Sequence, residues 1–210
     1  MTDKETEFKW QIADRTDFDK IKKALLLFDC ACGFSAPNLL DTYFDTPDCA
    51  LSAEKAALRL RRIRLAGQTR YELTFKSATS IVDGLAQRRE ITVPLNSANR
   101  EEAIKLFRAK AAELNPKALN LKAIFSIGNK RKICHIKAKD FEGELSFDDC
   151  LIKARRRKKM LEAEFEFKKG EMSSFKKFAA LLAERAGLKA AVKSKVATAR
   201  ALLAEDKIDV

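Results

Sequence analysis

The sequence predicts an α+β fold: a closed eight-stranded antiparallel β-barrel with a charged lumen and helices packed on its outer surface. Three observations predict it. Eight short runs, at about residues 4–12, 39–45, 57–65, 69–76, 86–93, 124–138, 142–149 and 161–169, read as strands with one polar and one apolar face. Helical segments between them carry apolar stripes that must pack on something. The polar faces are charged with both signs. Alternation alone leaves the orientation open, because a half-exposed sheet would set the same charges in solvent. Sending the apolar faces outward under the helices and the charges inward satisfies both patterns, and an interior of this size holds one small ligand. Burying so many charges is tenable only with water, mutual pairing, metal or ligand.

The elements follow in chain order. Glu5, Glu7 and Lys9 alternate with Phe8 and Trp10. Thr16 can cap a helix that places Phe18, Ile21, Leu25 and Phe28 on one face. The run 39–45 leads into a turn at Thr46-Pro47-Asp48. Arg59 and Arg61 alternate with Leu58 and Leu60, Glu72, Thr74 and Lys76 with Leu73 and Phe75, and Arg88, Glu90 and Thr92 with Ile91 and Val93. Asn99 begins a second helix carrying Ala103, Ile104, Phe107, Ala111 and Leu114, which Asn115-Pro116 ends. Lys139 to Gly143 reads as a hairpin turn. Beyond it, Glu144, Ser146 and Asp148 alternate with Leu145 and Phe147, and Glu162, Glu164 and Glu166 with Ala163, Phe165 and Phe167. Ser173 or Ser174 precedes a helix through Phe175, Phe178, Ala179 and Leu182 that stops at Gly187, and Ser194 can cap a last one.

With 210 residues, 46% of them hydrophobic and only 7 Gly and 4 Pro, the chain can bury a core and is expected to form one domain over 1–210, its core at about 4–203. No apolar run approaches the ~18 residues of a membrane span, and the N-terminus enters a charged strand without a signal-peptide segment, so a cytoplasmic location is expected. The five cysteines, odd in number and without a CxxC framework, read as reduced thiols. Cys30 and Cys32 with His135 make a poor zinc set, and His135, the sole histidine, builds no Ser-His-Asp order. The net charge of +12 favours anionic partners without choosing among nucleic acid, polyphosphate and nucleotides. The basic run 153–159 reads as a solvated loop that could steer polyanions to a tunnel mouth.

Chemistry concentrates in Glu5-x-Glu7-x-Lys9 and in the acidic row Glu162-x-Glu164-x-Glu166 near the other end of the chain. Carboxylates hold a hard divalent cation and basic groups hold phosphate oxygens, so rows of both on one surface suit a metal-bound polyanion.

These stretches, together with Tyr43-Phe44-Asp45-Thr46-Pro47-Asp48, Leu58-Arg59-Leu60-Arg61, Leu73-Thr74-Phe75-Lys76, Arg88-x-Glu90, Arg131, Phe147-Asp148 and Ser194-Lys195, occur in an order that resembles the CYTH domain of the triphosphate tunnel metalloenzyme superfamily. The resemblance spans Glu5 to about Leu203. It looks nearest to the bacterial inorganic triphosphatases through residues 42–48, Gln87-Arg88 and Phe125-Ser126. Asn129 departs from a lysine that relatives often place there, and the helical polyphosphate-associated domain that many long relatives append is not expected here.

The resemblance implies that Glu5, Glu7, Glu90, Asp148, Glu164 and Glu166 bind Mg²⁺ or Mn²⁺. It implies that Lys9, Arg59, Arg61, Lys76, Arg88, Arg131 and Lys195 hold the phosphate chain, with Lys9, Lys76 and Glu90 taking part in catalysis. The implied activity is hydrolysis of inorganic triphosphate. A class IV-like adenylyl cyclase, a nucleoside or thiamine triphosphatase, and a noncatalytic polyphosphate- or nucleic-acid-binding module are the alternatives. The acidic rows argue against the module, since an anion binder gains nothing from carboxylates facing its ligand, and neither nucleic acid nor membrane is the expected partner.

Overall fold

The computed structural model describes residues 3–76, 80–82, 85–97 and 99–204; the side chains of residues 3–5, 80–82, 85–89 and 119 lie outside the described set. The elements are β1 (Asp3–Ile12), α1 (Arg15–Leu25), β2 (Ala31–Ser35), β3 (Asn38–Asp45), α2 (Ala50–Ala53), β4 (Ala57–Leu65), β5 (Gln68–Lys76), β6 (Ser80–Val82), β7 (Leu85–Leu95), α3 (Arg100–Leu114), a 3-10 turn (Pro116–Leu119), β8 (Lys122–Lys137), β9 (Phe141–Lys153), β10 (Arg157–Gly170), α4 (Met172–Ala186), β11 (Lys189–Ala190) and α5 (Lys195–Ala204). The mixed α+β class is as expected.

Among the described residues, eleven strands form one antiparallel sheet in the order β11-β1-β10-β9-β8-β3-β4-β5-β7-β6, with β2 beside β8. The expectation of a closed eight-stranded barrel is corrected here. β1 is divided between two neighbours: Asp3 to Glu7 lie against Glu90 to Ala86 of β7, whereas Glu7 to Ile12 lie against Glu166 to Leu161 of β10. It does not pair with either along its whole length, and β2, β6 and β11 also join the sheet, so a closed ring of eight strands does not describe it. The extra strands have local causes. β2 and β3 pair with the same side of β8 and are separated at Ala36-Pro37, where proline has no N–H to give to a ladder. β6 and β11 are short additions beside β7 and β1.

The apolar faces pack under helices as the alternation demands. α1 and α4 cover β1, β9 and β10 through Ile21, Leu25, Phe175, Phe178 and Leu182 against Trp10, Leu145, Phe147 and Phe165. Gly143 stands where a Cβ would come within 2.9 Å of the Phe165 ring and 3.0 Å of the Glu166 carbonyl oxygen, so a side chain there would force β9 off β10. On the other side, α2 and α3 cover β4 and β5 through Leu51, Ala103, Phe107 and Ala111 against Leu58, Leu60 and Leu73.

Two helix starts differ from the expectation. Asp14, not Thr16, caps α1 by accepting the Thr16 N–H at 2.7 Å, because its carboxylate reaches the orphan amide from one residue outside the helix. α4 begins earlier, after Glu171, with Ser173 and Ser174 inside it. Asn99 and Ser194 cap α3 and α5 as expected.

The last helix corrects the idea that every helix packs outside. Ala199 and Leu202 of α5 pack on Tyr43, Phe125, Ile127, Cys150 and Ile152. Ile127 and Cys150 share strand parity with Asn129 and Asp148, so α5 lies on the continuation of the charged face and covers its apolar end.

Among the described residues no helix is long and apolar enough to cross a membrane. All five cysteines are free thiols.

Candidate active site

Parity delivers the charged rows to one cavity of about 950 Å³. Glu7 and Lys9 from β1, Arg59 and Arg61 from β4, Lys76 from β5, Glu90 from β7, Arg131 from β8, Glu164 and Glu166 from β10 and Lys195 from α5 all line it. Asp148 lies fully buried behind Arg131 and Lys195. The side chains of Glu5 and Arg88 lie outside the described residues, although their backbones are paired in the β1–β7 ladder. Exposure rises along β10, from 0% at Glu162 and 11% at Glu164 to 30% at Glu166 and 38% at Lys168, so the cavity opens at the Glu166 end and is stopped by α5 at the other.

The deep end is an ion-pair cluster. Arg131 donates to Asp148 through Nε at 2.7 Å and Nη2 at 2.6 Å, and from Nη2 to Glu164 at 2.7 Å. Lys195 Nζ donates to Asp148 and Glu164, each at 2.7 Å, and to Glu162. Lys9 donates to Glu164 and lies 3.1 Å from Glu7. Carboxylate oxygens of Asp148, Glu162 and Glu164 fall within 4.8 Å of one another.

Burial pushes Glu164 and Asp148 upward, but Lys195 and their other cationic neighbours outweigh it and hold both carboxyls below the usual range, Glu164 well below. Glu162 goes the other way: burial raises it, Lys195 offsets only part, and Glu164 adds to the rise. It is therefore the first of the three to take a proton as pH falls.

Hard carboxylate oxygens this close suit a divalent ion, and Glu162 Oε1 is buried without a hydrogen-bond partner. The donor set fits such an ion, with the Lys195 ammonium now among the same three carboxylates.

Across the cavity, on β3, β4, β5 and β7, cations outnumber acids. Arg61 grips Asp41 through Nε and Nη2 at 2.7 Å each, Arg59 stands 3.5 Å from the same carboxylate, and Arg59 also donates to Thr74 at 2.9 Å. Thr74 and Thr92 share a hydrogen bond, Thr92 donates to Glu90 at 3.1 Å, and Glu90 pairs with Lys76.

Burial raises Asp41, but Arg61 and Arg59 bring it down to about 2 from 3.8. A depressed carboxyl contributes stability above its unfolded value and loses it as pH falls through the folded one. We expect Asp41 to account for about 2 kcal/mol of stability lost between roughly pH 4 and pH 2. Urea melts of the wild type and Asp41→Asn at both pH values check this; equal slopes in the two proteins would refute it.

Sequence reasoning missed Asp41 and, although it placed Glu162 in the acidic row, left it out of the metal-binding set. Glu162 carried a signal, since it begins the same alternating row as Glu164. Asp41 sits between Leu39 and Tyr43 on a face that reads as apolar. The acid of the 43–48 motif proves structural: Asp45 accepts the Thr46, Leu51 and Ser52 N–H groups at 2.8, 3.0 and 3.1 Å and fixes the turn into α2. The basic run 153–159 lies at the β9–β10 hairpin beside the α5 end, opposite the opening, so it does not stand where it could steer ligands into the mouth.

No curated protein matches the chain. Solved structures share its fold. A protein from Pyrococcus horikoshii, PH1819, superposes with TM-score 0.67 at 19% identity over 94% of this chain and 99% of its own. HpAC1 from Hippeastrum, described as an adenylyl cyclase candidate with a dominant triphosphatase activity, superposes with TM-score 0.66 at 16% identity over 94% and 95%. The Mimivirus capping enzyme triphosphatase does so with TM-score 0.53 at 10% identity over 87% and 90%. By its own sequence, matched from residue 3 to residue 199, the chain belongs to the CYTH domain family.

Proposed function

We propose that the chain is a metal-dependent triphosphatase of the inorganic triphosphatase type, working inside a tunnel formed where β1 bridges β7 and β10. The observation that carries this reading is the division of one charged cavity into an acid-rich side on β9 and β10 and a base-rich side on β4 and β5.

Arg59, Arg61 and Arg131 bind the phosphate oxygens, their planar forks matching two oxygens at a time, while Lys9 and Lys76 act as compact charges at the reacting end. Glu7, Asp148, Glu162 and Glu164, with Glu90 and Glu166 at the rim, would hold Mg²⁺ or Mn²⁺, which supplies charge neutralisation at the phosphoryl oxygens. Glu90, paired with Lys76, takes the proton of the attacking water. The new P–O bond forms at the terminal phosphorus, the anhydride bond opposite breaks, and diphosphate leaves with the electron pair. Positioning and fixed charge contribute most of the acceleration.

One observation favours a second reading, an organic triphosphate. Ile63, Leu65, Ile133 and Phe167 line the cavity near its opening, and about 950 Å³ leaves room for a substituent beyond the phosphate chain. Free thiols fit the cytoplasmic setting.

The test is a panel of inorganic triphosphate, ATP, thiamine triphosphate and longer polyphosphate, with released phosphate and cyclic nucleotide both measured. Inorganic triphosphate should turn over fastest, and EDTA should abolish the reaction. Full activity after verified metal removal would sink the mechanism, and preference for an organic triphosphate would select the second reading.

A further inference from the structure

The helices leave one stretch of the outer wall bare. Between the part covered by α1 and α4 and the part covered by α2 and α3, the outward residues of β4, β3, β8, β9 and β10 form cross-strand rows. Arg64 lies beside Asn38, Lys130 and Asp149 in turn; Arg62 beside Leu40, Gly128, Leu151 and Lys159; and Thr42 beside Ser126 and Lys153. The middle of the face is small or half-buried, and its rim is Arg62, Arg64, Lys130, Lys132, Lys153 and Lys159, all exposed except the half-buried Arg62. A cleft of about 1130 Å³ that runs from the end of β1 and the segment before α5 reaches the edge of this face at Gly128, Lys130, Leu151 and Lys159. Asp149, the carboxylate in the first of these rows, accepts from Arg15. Asp19, near the Lys132 edge, is paired with Lys22. None of the six rim cations is used by the site described above.

Beside this face stands an aromatic ring without cover. Phe34 of β2 is 77% exposed and lies across from Cys134, which is two residues beyond Lys132 on the same side of β8. An exposed phenylalanine adjoining a basic surface whose bordering acids are matched has the two elements of sequence-tolerant single-strand recognition: cations along a phosphate backbone and a ring on which a base can stack. A protein partner would need large exposed apolar anchors on the face, where the described residues offer Leu40, Leu151 and Leu161, all half-buried.

We propose that this outer face binds single-stranded nucleic acid, independently of the tunnel and of the triphosphatase reading. A labelled single-stranded RNA of mixed sequence, titrated by fluorescence anisotropy at low and physiological salt, tests it. The wild type should bind, with affinity falling steeply as salt rises. Lys130→Glu with Lys132→Glu should weaken binding roughly tenfold or more, and the neutral pair Lys130→Gln with Lys132→Gln should reduce the salt slope by about 0.7 for each phosphate that is no longer neutralised. Phe34→Ala should weaken it roughly tenfold at an unchanged salt slope, and Phe34→Trp should retain it. Unchanged melting temperatures confirm that only the surface was altered. The proposal is overturned if the lysine variants bind as the wild type does, if inorganic triphosphate displaces the RNA, or if vesicles of anionic lipid bind and RNA does not.

Discussion

Replacing Lys195 by methionine is expected to lower the melting temperature by roughly 10 °C, and Mg²⁺ or Mn²⁺ is expected to restore much of the loss. The ammonium touches Asp148, Glu162 and Glu164 together, so its removal leaves three close, buried carboxylates with, among the described residues, Arg131 and Lys9 to balance them. Breaking a buried pair this way costs on the order of 3–5 kcal/mol, and at this chain length each kcal/mol is worth about 2–4 °C. A divalent ion should then settle among the freed oxygens, and at a hundredfold excess over its dissociation constant it adds about 2.7 kcal/mol. The wild type, where Lys195 competes for the same oxygens, should gain less. Thermal melts of both proteins in EDTA and in millimolar metal decide the matter. An equal metal response in the two would mean that the ion binds elsewhere, and an unchanged melt in EDTA would mean that the cluster is not held by Lys195.

The charged cavity was legible because a period of two is a strong local signal. Glu7, Lys9, Arg59, Arg61, Lys76, Glu90 and Glu164 needed only their parity to share a face, Arg131 came from the family resemblance, and the amphipathic helices needed only a wall to say which face turned outward. What stayed hidden depends on non-local geometry. Val196, Ala199 and Leu202 form a stripe that reads the same whether it packs outside the sheet or over the apolar end of its inner face. β2 is a five-residue run, Ala-Cys-Gly-Phe-Ser, before Pro37, too short and weakly patterned to announce a strand. The split of β1 between β7 and β10 follows from stagger, which no stretch of sequence encodes by itself. Asp41 was obscured by apolar neighbours, since an acid between Leu39 and Tyr43 becomes intelligible only when Arg61 is seen across from it. The basic surplus could not name a partner from its sum, but the cross-strand rows separate inward cations already paired with acids from outward ones facing solvent.

That separation changes what is expected of Arg61. From alternation alone, Arg61→Ala would impair triphosphate handling and scarcely affect stability. The fold places Arg61 on a buried Asp41 in a two-point grip, so Arg61→Ala is expected to cost about 3 kcal/mol as well as nearly all hydrolysis. Arg59, 3.5 Å from the same carboxylate, spares part of the penalty. Adding Asp41→Asn removes the stranded charge and should restore most of the stability without restoring hydrolysis, because the phosphate-binding fork is still missing. Leu60→Ala, one residue away on the helix-covered face, should destabilise by about 2–5 kcal/mol through a cavity beneath α3 while leaving turnover per folded molecule intact. Urea melts with kcat and KM measured for all three variants separate the two roles. Recovered hydrolysis in the double variant would show that Arg61 serves only to neutralise Asp41, and a harmless Leu60→Ala would show that the outer wall is not packed as described.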